Sequence, residues 1–258
     1  MKIAIIGAGN MGGAIARGLC KGTQVKAEEI TVSNPSQGKL EALKSEFPLL
    51  NVTNDNRQAA AGADTILLAV KPWFIEQVIK EIQPASQQIV ISVAAGISFA
   101  QLADYCGRSE QTLFRVVPNT AISLMESLTP IASYNATSEQ EQQLLAIFNE
   151  MGLAVLLPEA KIPAATSLTS CGIAYVLKYI QAAMQAGVEL GIPAKDAQTM
   201  VAQTMKGAAE IILAGQTHPS VEIDKVCTPG GITIKGINAL EHGGFASAII
   251  KAIKESTC

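Results

Sequence analysis

Two hydrophobic rhythms divide this chain. In its first part, short segments rich in apolar and β-branched residues come at 1–6, 29–33, 51–52, 64–70, 88–93, 112–117, 128–134 and 153–156. Runs of about four to eight apolar residues without alternation predict strands covered on both faces. Between them lie stretches at helical spacing, 11–21, 37–46, 57–61, 73–82, 98–105 and 138–151. Strands alternating with helices predict an α/β fold, a mostly parallel Rossmann-like sheet with helices on both faces, over residues 1–158.

The rhythm changes across Pro158 to Pro163, and residues 159–258 predict an all-helical domain. Helices are expected at 164–190, 194–214, 220–226, 233–241 and 245–253, punctuated by Gly191-Ile192-Pro193 and by the Gly215–Pro219 stretch. From Ile162 to Leu190 the only charged residues are Lys178 and Glu189. A helix without a polar face must be buried on every side. The roughly hundred residues of this region cannot supply that burial alone, which points to a second copy and an interlocked homodimer. A membrane span is the rival explanation, but Thr166, Ser167, Thr169, Ser170, Lys178 and Gln181 interrupt the run, so no membrane association is expected.

Charged residues make up 16% of the 258 positions and hydrophobic ones 48%, with a formal net charge of −3. That balance gives no electrostatic reason to expect nucleic acid or an anionic membrane as partner, and it favours a small molecule. Cys20, Cys106, Cys171, Cys227 and Cys258 are odd in number and form no CxxC pair, and the histidines are His218 and His242 alone. No disulfide framework and no metal site are expected, and a reducing cytoplasm is the natural setting. The N-terminal apolar run is short and lacks a cleavage pattern, so it does not read as a signal peptide.

The chemistry begins at Gly7-Ala8-Gly9-Asn10-Met11-Gly12-Gly13, which follows a strand and opens a helix. Gly7 permits a tight turn, Gly9 lets backbone approach a diphosphate, and Gly12 lets helix pack on strand. Asn10 and Met11 stand where the helix offers its free N–H groups. At the end of the second strand, Ser33, Asn34 and Ser36, with Lys39 nearby, present hydroxyl, amide and cationic donors where an NAD-selective site carries an acid. They predict NADP, with NADPH preferred over NADH; an ordinary turn and helix cap explain the same residues. Asn56, the strand end Ala69-Val70-Lys71-Pro72, the small residues Ala94, Ala95 and Gly96, and Pro118-Asn119 complete the expected cofactor set at the carboxyl ends of parallel strands.

A second glycine turn, Thr228-Pro229-Gly230-Gly231-Ile232-Thr233, precedes another helix. Its free N–H groups suit one carboxylate, although Thr228 or Thr233 capping the helix is an equally good reading of the turn alone. A dinucleotide domain joined to a helical domain with an anion pocket describes a reductase for a small carboxylated substrate.

Gly7 to Gly13, Ala69 to Pro72, Val117 to Ala121, and above all Val226 to Thr233 with Gly236, Leu240-Glu241 and Gly243-Gly244-Phe245 resemble the pyrroline-5-carboxylate reductase family along the whole chain. The resemblance implies NAD(P)H-dependent reduction of 1-pyrroline-5-carboxylate to L-proline, the last step of proline biosynthesis, by a homodimer or a larger oligomer of dimers. It departs at one place: the family commonly reads Ser-Gly-Ser-Gly-Pro-Ala-Tyr where this chain has Thr169-Ser170-Cys171-Gly172-Ile173-Ala174-Tyr175. In the family this segment lines the substrate pocket, which makes Cys171 a substrate-binding candidate.

Reduction of C=N requires a protonated nitrogen. The expectation is a substrate bound as its iminium, its carboxylate held by backbone N–H groups of Gly230, Gly231, Ile232 and Thr233 beside Thr228. The Thr233 hydroxyl, bonded to the ring nitrogen, is the catalytic candidate. A β-hydroxyacid-type dehydrogenase shares both domains, but it sets a catalytic lysine in a Gly-x-x-Gly-x-x-x-Lys pattern. Here Lys178 follows Gly172 by six and position 169 is Thr. A non-catalytic NADP-sensing scaffold has no need of the second glycine turn.

Overall fold

The computed structural model describes residues 1–257; Cys258 lies outside the described residues. Eight strands run β1 Ile3–Ile6, β2 Ile30–Ser33, β3 Asn51–Thr53, β4 Thr65–Leu68, β5 Ile89–Ser92, β6 Leu113–Val116, β7 Ser127–Tyr134 and β8 Gly152–Leu156. They form one sheet in the order β3-β2-β1-β4-β5-β6-β7-β8. Strands β1 to β6 are mutually parallel, β7 is antiparallel to β6, and β8 is parallel to β7. All four residues of β1 and of β4 are buried, as expected of central parallel strands with helices on both sides.

Helices α1 Asn10–Lys21, α2 Gln37–Glu46 and α6 Ser138–Asn149 cover one face, packing Ile15, Leu19, Leu40, Leu43, Ile147 and Phe148 onto Ile5, Val32 and Phe114. Helices α3 Asn56–Ala60, α4 Ile75–Ile82 and α5 Phe99–Cys106 cover the other, packing Ala59, Ile75, Val78, Ile79 and Leu102 onto Ala4, Ile66, Leu68 and Val90. Helix α7, Ile162–Thr166, follows β8 and buries Ile162 in the second of these layers.

The expected unbroken helix over 164–190 is divided. A π-helical turn, Ser167–Cys171, separates α7 from α8, Gly172–Glu189. The hydroxyls of Thr166, Ser167 and Thr169 donate to the carbonyls of Ile162, Pro163 and Ala165, at 2.7, 3.2 and 2.9 Å. Such back-bonding competes with the helical ladder and bends it. The turn is also held from outside: Ser170 Oγ donates to the Pro118 carbonyl at 3.2 Å, and Asn119 Nδ2 donates to the Thr169 carbonyl at 3.4 Å.

Compactness divides the chain between Ser170 and Cys171, beyond the break in sequence rhythm at residue 158. Residues 159–170 stay with the first unit because Arg115 holds Glu159, Ile162 is buried and Ser170 bonds Pro118. The second unit contains α8, α9 Ala194–Gly215, α10 Pro219–Val226, α11 Ile232–His242 and α12 Phe245–Glu255. Among its described residues only Ala197 is buried in the single chain, while Val176, Leu177, Leu213 and Ile250 stand exposed. No helix of the described residues is long and apolar enough to cross a membrane.

Candidate functional site

The loops that follow β1, β2, β4, β5 and β6 all leave the carboxyl edge of the parallel sheet, which gathers the expected cofactor residues on one side. Gly7 turns there with φ +107°, and its N–H donates to the Ser33 carbonyl at 2.8 Å. A Cβ on Gly7 would stand 2.6 Å from the Ala69 carbonyl oxygen, and one on Gly12 would stand 2.0 Å from that of Gly7. Gly7 and Gly12 are therefore demanded by packing between the loop, α1 and the end of β4. Gly9 differs: a Cβ there meets nothing within 4 Å. It opens α1 as its N-cap with no side-chain cap, and no acid occupies the first turn. By contrast, Asp55 closes α3, a Ser98–Gln101 capping box closes α5, and a Thr137–Gln140 box closes α6. The N-terminus of α1, with exposed Asn10 and half-buried Met11, thus keeps free N–H groups beside open space, and its residues fit a diphosphate.

At the end of β2 the expected donors divide into two kinds. Ser33 is fully buried and donates its hydroxyl to Asn56 Oδ1 at 2.7 Å, while Asn56 Nδ2 donates to Glu81 at 3.1 Å. Asn34 is also buried: its Oδ1 accepts the Ala8 N–H at 3.0 Å, its Nδ2 donates to the Ser36 carbonyl at 3.3 Å, and its carbonyl accepts from Asn54 at 2.9 Å. Contrary to their reading as direct donors, the Ser33 and Asn34 side chains are committed to protein partners. Ser36 and Lys39 are exposed, and Ser36 occupies the N-cap of α2 without bonding the helix through its hydroxyl. The alternative of a hydroxyl-capped helix is not what the structure adopts.

Along the same edge Ala69 and Val70 are half-buried, Lys71 is exposed, and Pro72 starts a 3₁₀ turn over Pro72–Phe74. Ala94 is buried, whereas Ala95 and Gly96 are exposed and Gly96 has φ +78°. Pro118 and Asn119 are buried; Asn119 donates its N–H to Ser127 Oγ at 3.0 Å and accepts the Ala121 N–H at 2.9 Å.

In the second unit, the Gly231 N–H donates to the Thr228 carbonyl at 2.9 Å and Gly230 has φ +72°, a conformation that favours glycine. Gly231 is the N-cap of α11, and no side chain caps that helix, so neither Thr228 nor Thr233 serves as the cap. A Cβ on Gly231 would lie 2.6 Å from Thr228 Oγ1. Ile232 is 87% exposed and Thr233 half-buried. Cys171, the last residue of the π turn, is half-buried. Burial pushes the Cys20 and Cys106 thiols up to about 11, away from the thiolate form.

Residues 159–258 match the family described as pyrroline-5-carboxylate reductase dimerisation, and residues 2–96 match that described as NADP oxidoreductase, coenzyme F420-dependent. Pyrroline-5-carboxylate reductase 2 of Dictyostelium discoideum is 38% identical over 98% of this chain and 89% of its own length. The chain belongs to the pyrroline-5-carboxylate reductase family. Reductase 1 of the same organism is 36% identical over 99% of the chain, which spans about half (48%) of that longer relative. The crystal structure of the Plasmodium falciparum pyrroline carboxylate reductase with NADP bound superposes with a TM-score of 0.89 at 28% identity, covering 100% of this chain and 95% of that one.

Ser170 stands where the family commonly has glycine and uses its hydroxyl on Pro118. Two features of the chain are not apparent from its sequence. One is the ion pair of buried Arg115 with Glu159, signalled by a single arginine inside the apolar run 112–117. The other is the exposed pair Trp73 and Phe74 just beyond Lys71-Pro72, which looked like the start of an ordinary helix.

Proposed function

We propose that this chain carries out the reaction of its family, NAD(P)H-dependent reduction of the cyclic imine 1-pyrroline-5-carboxylate to L-proline. The observation that carries the reading is the uncapped N-terminus of α1 at Gly9, set among glycines whose neighbours exclude a Cβ. The diphosphate of the cofactor lies there on backbone N–H groups. Lys39 and the Ser36 hydroxyl at the N-terminus of α2 receive the 2′-phosphate, so NADPH is preferred over NADH; Ser33, Asn34 and Asn56 hold that loop in shape. Ala69 to Pro72, Ala94 to Gly96 and Pro118-Asn119 border the rest of the cofactor along the edge.

When bound, the cofactor supplies a hydride. The N–H groups of Gly230, Ile232 and Thr233, at an uncapped helix start, hold the substrate carboxylate next to Thr228, while the Gly231 N–H, expected to join them, is spent on the Thr228 carbonyl and shapes the turn. Thr233 bonds the ring nitrogen through its hydroxyl and orients the imine, and Cys171 contributes to the pocket wall. The substrate arrives as its iminium, so no side chain has to deliver a proton during reduction, and orientation provides most of the rate. The apolar helices of residues 159–258 pair with those of a second copy, giving a homodimer able to assemble further, and the working compartment is a reducing cytoplasm.

The test is an absorbance assay of nicotinamide oxidation with 1-pyrroline-5-carboxylate, run with NADPH and with NADH, beside light scattering of the purified protein. Oxidation with a higher kcat/KM for NADPH and a mass twice that of one chain are expected. Absence of oxidation with either cofactor overturns the activity, and equal use of both overturns the NADPH assignment.

A further inference from the structure

Phe74 is 47% and Trp73 72% exposed, and their rings lie 6.1 Å apart at 54°. The other exposed aromatic of the first unit, Tyr134, is already stacked on Phe99 at 5.6 Å. The pair sits at the carboxyl edge of the sheet, since it follows the end of β4 and immediately precedes α4.

The direction Phe74 takes follows from α4 itself. Ile75, Val78 and Ile79 are its core face. Glu81 projects to the side, toward α3, where its carboxylate accepts from Asn56 Nδ2 at 3.1 Å and the Arg57 Nε donates to its carbonyl at 3.0 Å. Phe74 is the N-cap of α4, in the right-handed helical region (φ −99°, ψ −9°) and seven residues before Glu81; the helical repeat continued through that residue directs it to the same side, about 10 Å nearer the carboxyl edge. Phe74 thus stands on the α3 side of α4, beyond the Ser33–Asn56–Glu81 chain of hydrogen bonds.

We propose that Phe74, backed by Trp73, is the wall against which the adenine ring of the cofactor rests. This depends on the cofactor reading given above. A nucleotide whose diphosphate lies at Gly9 and whose ribose phosphate lies at Ser36 carries its base on the ribose carbon next to that phosphate. The side of the edge bounded by α3 and α4 then offers the Phe74 ring, beside an Asn56 amide already engaged by Ser33 and Glu81. An aromatic face recognises a base without regard to the nicotinamide half or to redox state, and its exposure without ligand is the cost of keeping it available.

Trp73 is the only tryptophan in the chain, so its emission reports on this wall alone. The experiment titrates adenosine 2′,5′-bisphosphate, which has the base and both ribose phosphates but no nicotinamide, and NADPH, into the full-length protein. A saturable change in Trp73 emission with either ligand is expected. Phe74→Ala should weaken both ligands about tenfold, equivalent to about 1.4 kcal/mol, with the loss appearing in the KM for NADPH rather than in kcat, and Phe74→Tyr should restore binding. Thermal unfolding of each variant guards against a merely damaged fold. NADPH binding to the wild type with unmoved Trp73 emission, or with unchanged affinity in Phe74→Ala, overturns the adenine wall and leaves the reductase reading standing. A wild type that binds neither ligand overturns the cofactor reading itself.

Discussion

The side-chain oxygen of Asn34 accepts a hydrogen bond from the backbone N–H of Ala8 at 3.0 Å. It ties the loop at the end of β2 to the glycine loop, so the two loops proposed to hold the cofactor's adenosine diphosphate are kept at a fixed separation. Asn34→Asp keeps that acceptor but loses the donor to the Ser36 carbonyl and places a negative charge beside the position proposed for the 2′-phosphate. The KM for NADPH should rise about tenfold or more while that for NADH stays within about threefold. Steady-state kinetics with both cofactors checks this, and a parallel rise in both would show that the residue acts on loop shape alone.

Thr233 stands in the first turn of α11, a helix without a side-chain cap, so its hydroxyl is not needed to seal the helix. Thr233→Ala should therefore leave folding intact and lower kcat about tenfold or more, the usual range for losing a hydrogen bond to a charged group. The dissociation constant for NADPH should not change, and Thr233→Ser should recover much of the rate. Wild-type turnover in Thr233→Ala would remove the residue from the mechanism.

Glu159 Oε1 accepts from Arg115 Nη1 at 2.8 Å and from the Phe99 N–H at 2.8 Å, at the N-terminus of α5. Arg115 is buried, and its Nε has no hydrogen-bond partner among the described residues. Removing Glu159 alone leaves a buried charge without its counterion. Glu159→Ala should cost about 2 kcal/mol, less than for a fully enclosed pair because Glu159 is partly open to water. Arg115→Met combined with Glu159→Ala should be more stable than Glu159→Ala by itself. Denaturant unfolding of the set decides it; additive losses would show that the pair is not coupled.

Glu150 accepts from the Thr23 hydroxyl at 2.6 Å, the Thr23 N–H at 2.7 Å and the Gln24 N–H at 3.2 Å. Desolvation pushes its carboxyl toward a higher pKa, but these hydrogen bonds outweigh it and hold the group below its ordinary value. A carboxylate depressed in the folded state stabilises the fold above its unfolded pKa of about 4.3, and that contribution disappears as pH falls through the folded value. Thermal midpoints measured from pH 7 down into this acidic range should fall less steeply for Glu150→Gln than for the wild type. Identical acid limbs would show that the bonds do not persist in solution.

Much of this architecture is legible in the residue pattern because the parallel strands are buried on both faces and advertise themselves as apolar runs. The ends are harder to read. Ala69 and Val70 are as apolar as the strand before them, yet β4 stops at Leu68 and the turn that follows lies against Gly7 and Gly12. The π turn at Ser167–Cys171 was not visible either: serines and threonines are tolerated in helices, and only their bonds to earlier carbonyls and to Pro118 divide this one.

The amino-acid sequence alone determined the two-part organisation, the parallel sheet and the two glycine turns at helix starts, because burial periodicity and the need for a missing Cβ are properties of residue type. Tertiary structure decided what each polar side chain faces. Ser33 and Asn34 have the chemistry to bind a phosphate but turn inward to Asn56 and Ala8, while Ser36 and Lys39 remain outward. Phe74 caps the start of α4 and stays exposed while Ile75 beside it is buried. Those directions depend on which neighbouring element arrives with a partner, and that is fixed only when distant segments pack.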